Sequence, residues 1–434
     1  MRSRALCRMQ NITVETTKAD DIVNTSLKSA LDQELGVLRQ HTPQAVLHKK
    51  VDISAFHGLQ LWQVTRIRNK PALLFGGETA TALADLDAHE LWRIPLGLTN
   101  VCMAELDGPA QPRIMGISKD QLVILDAISG RQLRQARLPE ADPFRQFHGD
   151  VIAPGFGGIT PARLKPKDQT MGLILRQEAG GGSRRYYAYD NQLKPLWETY
   201  IPRPPGAHVI QVTNLCSHDA DEICTGMHIL DHTGRLVWSA PDASIFATHG
   251  GDHIDWVVMS KLGRDDRVFL AMATGHEGLF VYDRQGGKRL FSHQFGHVQS
   301  VFADAFVPGR TDLQLWATTR WDNYGISCVV ASDGTILSRM QLDFTSDVAK
   351  PVNWSGDGIK LVFPCAGIQA SYDRFGLVNW QDRLVVPFNA TEIGWKNPRE
   401  PVPVYVADVT GDPRDEVLIR NNDCLWIYTQ GKTG

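Results

Sequence analysis

Val406-Ala-Asp-Val-Thr-Gly-Asp-Pro-Arg-Asp-Glu-Val-Leu-Ile-Arg420, followed by Cys424-Leu-Trp-Ile-Tyr428, is the stretch whose reading decides the fold. Asp408, Thr410, Asp412 and Glu416 stand at relative positions 1, 3, 5 and 9, with Gly411 at the bend. Oxygen side chains at that spacing can wrap a hard cation such as calcium. Val417, Leu418 and Ile419 follow directly, as if the loop feeds a β-strand. The unit is a strand, an acidic loop, a strand and a returning strand.

Weaker copies of the returning hairpin recur along the chain. They run Leu83 to Trp92, Leu122 to Leu133, Tyr187 to Trp197, His228 to Trp238, Leu279 to Leu290, Cys328 to Leu337, Ser371 to Trp380 and Leu425 to Tyr428. Each is a short β-branched or aromatic strand, a turn centred on Asp or Gly, and a second strand. The intervals of roughly 40 to 65 residues are those of propeller blades with four strands apiece. The reading is an all-β protein, a single β-propeller of seven or eight blades over residues 46–434. Two stacked sandwiches are the weaker alternative, because sandwiches seldom repeat an internal strand-turn-strand sequence. Residues 1–45 are different. They are polar, and Asp20 to Arg39 reads as a helix with Ile22, Leu27, Leu31, Leu35 and Leu38 roughly on one face.

Composition narrows the function classes. The net charge is -3 and no basic stripe is present, which argues against nucleic acid as a partner. No stretch approaches the roughly 20 apolar residues that span a bilayer. Seven scattered cysteines without a CxxC pair suit a reducing compartment. The N-terminus lacks an apolar run of export-signal length, so the expectation is a cytoplasmic protein. Gly180-Gly-Gly-Ser183 is not followed by Lys and a helix, so it is not read as a phosphate loop. His148-Gly-Asp150 and Gly155 to Gly158 are read as a loop on one face.

Several motifs in order resemble the rhamnogalacturonan lyases of polysaccharide lyase family eleven. Leu91-Trp-Arg-Ile-Pro-Leu-Gly97 is similar to that family's Leu-Trp-Arg-Ile-Asp-Leu-Gly strand. Gly206-Ala-His208 resembles its Gly-Asn-His, and Thr248-His-Gly-Gly-Asp252 its Gly-His-Gly-Asp with one Gly added. Gly275-His-Glu277 matches its His-Glu, Gly309 to Trp316 its Pro-Gly-x-Glu-x-Trp, and Asn353-Trp-Ser-Gly-Asp357 its Trp-Asp-Gly-Asp. The segment from Val212 to Ile223 resembles an acidic metal loop, but Asn214, Cys216 and His218 stand at three of its ligand positions. The closest likeness is Ala407 to Arg420. The resemblance implies an eight-bladed, calcium-binding lyase that cleaves a rhamnose–galacturonate backbone by β-elimination.

That chemistry needs a positive charge on the uronate carboxylate, a base for the C5 proton, and departure of the C4 oxygen. The family's catalytic Arg falls on Gln299, which carries no charge, and its Lys falls near Glu400, beside Arg399. The reassigned catalytic candidates are therefore His297, Arg399 and Lys350, with Gln299, Arg320 and Trp321 binding the sugar. His208, His249, Asp252 and Glu277 are expected to hold a divalent cation, with calcium preferred and manganese or zinc open. Asp408, Asp412 and Glu416 are expected to hold a structural calcium. The partner is a uronate-containing oligosaccharide. A binding propeller without catalysis, or a glycoside hydrolase using Glu277 with Asp252, are the competing readings.

Overall fold

Each of eight sheets has four strands in chain order, the first paired with the second, the second with the third and the third with the fourth. The one departure is the last sheet, whose outer strand is borrowed from the other end of the chain. The computed structural model describes residues 18–140, 144–145, 151–152, 156–178, 184–201, 206–215, 219–248, 253–263, 267–320, 325–341, 349–364, 375–394 and 403–431. Blades 1 to 7 cover residues 60–94, 99–137, 156–201, 206–239, 256–293, 298–341 and 349–387. Blade 8 combines Val404–Ala407, Glu416–Arg420 and Cys424–Gln430 with Ala45–Asp52. The expected count of seven or eight blades is eight; the first six repeated hairpins are the third and fourth strands of blades 1 to 6, Ser371 to Trp380 contains only the third strand of blade 7, Gly376–Val378, with 371–374 outside the described residues, and Leu425 to Tyr428 lies within the third strand of blade 8.

First strands of neighbouring blades touch one another and so ring the central axis. Second and third strands are covered on both faces by adjoining blades, so they read as unbroken apolar runs rather than alternating ones. Phe269–Ala273 is buried at every position. Fourth strands lie outermost and alternate, as in Pro195–Ile201. Among the described residues Cys102, Cys224, Cys328 and Cys424 are free thiols. No helix of the described residues is long and apolar enough to cross a membrane.

The ring is closed by an antiparallel ladder running from Ala45 opposite Gln430 to Asp52 opposite Cys424. The closing strand begins at Ala45, one residue before the expected start of the propeller at 46. Helix α1, Lys18–His41, lays Leu35 and Leu38 on the core between blades 7 and 8. Arg39 Nη2 donates to the Leu384 carbonyl at 3.0 Å, and Trp354 Nε1 donates to the Pro43 carbonyl at 2.6 Å.

Direction follows from this meander. Loops between first and second strands share one rim with the third-to-fourth turns. Linkers between blades share the other rim with the second-to-third loops. Trp354 is fully buried and ties the chain before the closing strand to blade 7. Trp354→Ala should therefore cost about 3–5 kcal/mol of stability, measured by denaturant unfolding. A loss under about 1 kcal/mol, the level of a surface change, would show that this anchor is not needed.

Candidate functional site

Two backbone contacts near the axis assemble a cluster of histidines on the linker rim. His208, the third residue of Gly206–Thr213, donates its N–H to the Ile254 carbonyl at 2.8 Å, and Ala207 bridges Ile254 in parallel. This lays the linker 253–255 along the first strand of blade 4. Asp255 N–H is then fixed by the Ala273 carbonyl at 2.9 Å. One blade on, Val298 N–H donates to the Gly275 carbonyl at 2.9 Å, which sets His297 beside the turn carrying His276.

Asp255 is the hub. Its Oδ2 accepts from His297 Nε2 at 2.9 Å, and its Oδ1 accepts from His253 Nε2 at 3.1 Å and Gln299 Nε2 at 2.7 Å. Burial pushes this carboxyl upward, but hydrogen bonds from His253 and His297, together with their charge, more than reverse it, leaving it below the usual carboxylate range. The rings form a chain: His208 to His253 at 4.9 Å between centroids, His253 to His297 at 5.5 Å, and His297 to His276 at 4.6 Å. The His253 side chain is 38% exposed, whereas that of His297 is 3% exposed. His253 therefore faces the rim and His297 lies beneath it.

The expected residues divide accordingly. His208, His297 and Gln299 meet at Asp255 and its linker. Glu277 does not join: it is exposed in its turn, and its neighbour His276 packs on His297 instead. His297 is committed to Asp255 and buried, whereas His253, bonded to the same carboxylate, is partly exposed. Lys350 is the second residue of the first strand of blade 7, near the same rim, and Arg320 is half-buried there, its backbone N–H bonded to the His297 carbonyl at 2.9 Å. His249, Asp252, Trp321 and Arg399 lie outside the described residues, as do Cys216, His218, His148 and Asp150. Sequence reading missed His253 and Asp255. The signal was present: His253-Ile-Asp255 keeps a His-x-Asp spacing without the added Gly that His249 and Asp252 require.

Spacing alone would admit a cation here, since one ligand atom from each of His208, His253 and Asp255 lies within 4.8 Å of the others. The donor set opposes calcium, which takes six to eight oxygens, about, and here would find one carboxylate. Hydrogen bonding opposes other divalent ions as well. Arg184 Nη2 lies 3.3 Å from His208 Nδ1, and a guanidinium can only donate. A metal-bound imidazole instead donates its second N–H to an acceptor. The described residues of the cluster therefore do not fit a divalent cation.

The acidic loop lies on the opposite rim. Glu416 is fully buried; its Oε2 accepts from Val409 N–H at 2.7 Å and Thr410 N–H at 3.2 Å, and its Oε1 from Thr410 Oγ1 at 2.9 Å. Gln314 does the same in blade 6, accepting from Phe306 and Val307. Asp408 Oδ1 accepts from Gly411 N–H at 2.6 Å and Arg66 Nη1 at 3.2 Å. Asp412 is gripped by Arg414, whose hydrogen bonds hold its carboxyl down to about 2. Asp408, Asp412 and Glu416, where a structural calcium was expected, thus accept hydrogen bonds from backbone amides, the Thr410 hydroxyl and the Arg66 and Arg414 guanidinium groups. On the same rim, the altered loop of blade 4 borders a cavity of about 540 Å³ lined by Asp219, Asp221, Glu222, Asp231 and Arg284. Arg284 Nη2 reaches Glu222 Oε1 at 3.4 Å.

A closed eight-bladed propeller with a histidine–carboxylate centre on one rim is the class that fold and site define. The domain described as "Rhamnogalacturonan lyase family 11, C-terminal domain" matches residues 184–434, more than half of the chain. The chain belongs to rhamnogalacturonan lyase family 11. No curated protein matches it by sequence. Among solved structures it is similar to the rhamnogalacturonan lyase YesW, with a TM-score of 0.61, 17% identity, and 90% of this chain against 74% of that one. It is similar to the Bacillus licheniformis rhamnogalacturonan lyase PL11, with a TM-score of 0.59, 16% identity and the same coverage. It is also similar to the exotype rhamnogalacturonan lyase YesX, at 0.57 and 16%, again covering 90% and 74%. At these identities the likeness establishes the shared fold.

Because arginines and amides already satisfy the 408–416 loop, a chelator should leave the melting temperature of the protein unchanged. A fall of several degrees on chelation, reversed by calcium, would mean that the loop takes a cation after all.

Proposed function

We propose that this propeller is a lyase that cleaves rhamnose- and uronate-containing pectic glycans by β-elimination at the His253–Asp255 centre. The observation that carries the reading is the partly exposed His253 held by the buried Asp255, in a chain of the rhamnogalacturonan lyase family. Because ionised Asp255 only accepts, His253 Nε2 bears the proton of that hydrogen bond and the neutral ring carries its lone pair on Nδ1. Nδ1 then takes the C5 proton of the uronate. Asp255 keeps the ring oriented and stabilises the imidazolium that forms.

As the C5 proton leaves, negative charge moves onto the uronate carboxylate. Arg320, on the same rim, is the described guanidinium suited to that charge through its planar fork. Gln299 cannot supply it, and its amide is spent on Asp255. The electron pair from C5 forms the C4–C5 double bond, the C4–O bond breaks, and the departing C4 oxygen leaves with the adjoining sugar as a hydroxyl after taking a proton from water, while the His253 imidazolium returns its proton to solvent. His276, exposed beside His297, is placed to meet the sugar at the rim.

The test is incubation with rhamnogalacturonan oligosaccharides, following the ultraviolet absorbance of the unsaturated uronate. Rising absorbance is expected. New reducing ends without absorbance would mean hydrolysis, and neither signal would leave a sugar-binding propeller. His253→Ala should lower kcat by about 10²–10⁴-fold with the fold intact, the usual range for a lost general base. An unchanged rate in that variant would remove His253 from the chemistry.

A further inference from the structure

A β-bulge interrupts the ladder between first and second strands at its linker-rim end in several blades. In blade 6 it falls between Val298 and Ser300, in blade 4 between Gly206 and Gln211, and in blade 1 between Leu61 and Gln63. A bulge takes a residue out of the regular pleat and re-aims its side chain. The displaced residue of blade 6 is Gln299, and the displaced run of blade 4 contains His208; both belong to the cluster around Asp255. In blade 1 the displaced residue is Trp62.

Core packing does not account for a tryptophan there. Among the described residues every other tryptophan is buried or packs against one of the apolar cores, whereas Trp62 is half-buried and joins none of them. Its Nε1 is buried without an acceptor among the described residues, while Trp92 and Trp197 donate theirs to the carbonyls of Ala127 and His232. The site is nonetheless shaped for the indole: a Cβ at Gly76 would meet its Cδ1 and Nε1 at 2.7 Å. The pyrrole edge therefore rests on the Gly76 backbone, and the exposed remainder of the ring is its six-membered side.

Polar groups stand alongside. Gln60, opposite Gly76 in the ladder, is exposed and lines a cavity of about 390 Å³ with His57, Arg420 and Asn422. Arg420 ends the second strand of blade 8, so this cavity lies on the linker rim, as the His253–Asp255 centre does. An apolar ring face with a few convergent amides and one charged group is the make-up of a site for a small polar ring, and a guanidinium suits a carboxylate. Blade 1 stands opposite blade 5 in the ring of eight, so Trp62 lies across the axis from the centre.

We infer that Trp62 is the stacking platform of a distal sugar subsite: a glycan held at the His253–Asp255 centre crosses the mouth of the axis and lays a ring on the indole, with Arg420 meeting the carboxylate of an adjoining uronate. Short oligosaccharides fill the centre alone, and longer ones reach Trp62 as well. The bulge serves the same purpose in blade 1 as in blades 4 and 6, turning a first-strand side chain toward the substrate. The inference rests on the proposed pectic substrate, but it is read by binding in a chain that cannot cleave. Elimination by wild type without any effect of Trp62 on binding sinks the subsite alone, and Trp62-dependent binding without elimination sinks the lyase reading alone.

The experiment is calorimetric titration of the full-length His253→Ala chain with rhamnogalacturonan oligosaccharides from disaccharide to decasaccharide, alone and combined with Trp62→Ala, Trp62→Leu or Trp62→Phe. Affinity should rise with length in the parent. Trp62→Ala should remove that rise, weakening the longer ligands by about tenfold or more, the scale for truncating an anchoring tryptophan, and leave the disaccharide unchanged. Trp62→Phe, which keeps a flat ring, should recover part of the loss, and Trp62→Leu, which keeps apolar bulk without one, should not. A loss equal at every length, or no loss at any length, overturns the inference. A lower melting temperature in Trp62→Ala with unchanged binding assigns the residue to packing and overturns it too. If the Ala variant does not fold, the Leu variant decides by the same dependence on length.

Discussion

The ladder between Ala45–Asp52 and Cys424–Gln430 is the interaction on which the rest of the molecule depends. A four-stranded sheet buries both faces only when a neighbour stands on each side. In blade 8 the fourth strand is Ala45–Asp52, from the segment before blade 1. Once that strand is placed, blades 1 and 8 pack as any other pair, and the apolar second and third strands are covered all round. The helix Lys18–His41 and the Trp354–Pro43 hydrogen bond hold the approach to this strand in place.

Closure also gives the molecule two unlike rims. On one, loops between first and second strands carry acidic side chains that satisfy backbone amides. Glu416 and Gln314 fill the same role with different charge, which shows that the loop needs an acceptor oxygen more than it needs an anion. Where carboxylates remain near the surface, Arg66 and Arg414 meet them. On the other rim, blade linkers converge near the axis, and there the buried carboxylate of Asp255 gathers His253, His297 and Gln299. The charges behind that centre come from arginines in the interior of blade 3, not from acidic loops.

The repeated strand-turn-strand segments were legible because each is local. An apolar run, an Asp or Gly turn and a second run specify a hairpin within a dozen or so residues, and the spacing between hairpins specifies a blade. The same locality made Val404 to Gln430 readable strand by strand. The acidic spacing of Asp408, Asp412 and Glu416 was equally visible, but its partners were not. Val409 and Thr410 are near in sequence, whereas Arg66 comes from blade 1, far along the chain.

The sequence by itself determined the all-β repeat, the helical leader and the families of residues concentrated between blades, because these depend on neighbours a few positions apart. Only the tertiary structure decided which histidines meet. His208 and His276 come from blades 4 and 5, His253 and His297 from the linkers that follow those blades, and no periodicity ranks His253 above His249. Arg184 was invisible as part of the centre because it is one of two adjacent arginines on a strand of blade 3. Its distance from His208 is set by how two blades pack, and packing between blades is not written in the spacing of residues within either one.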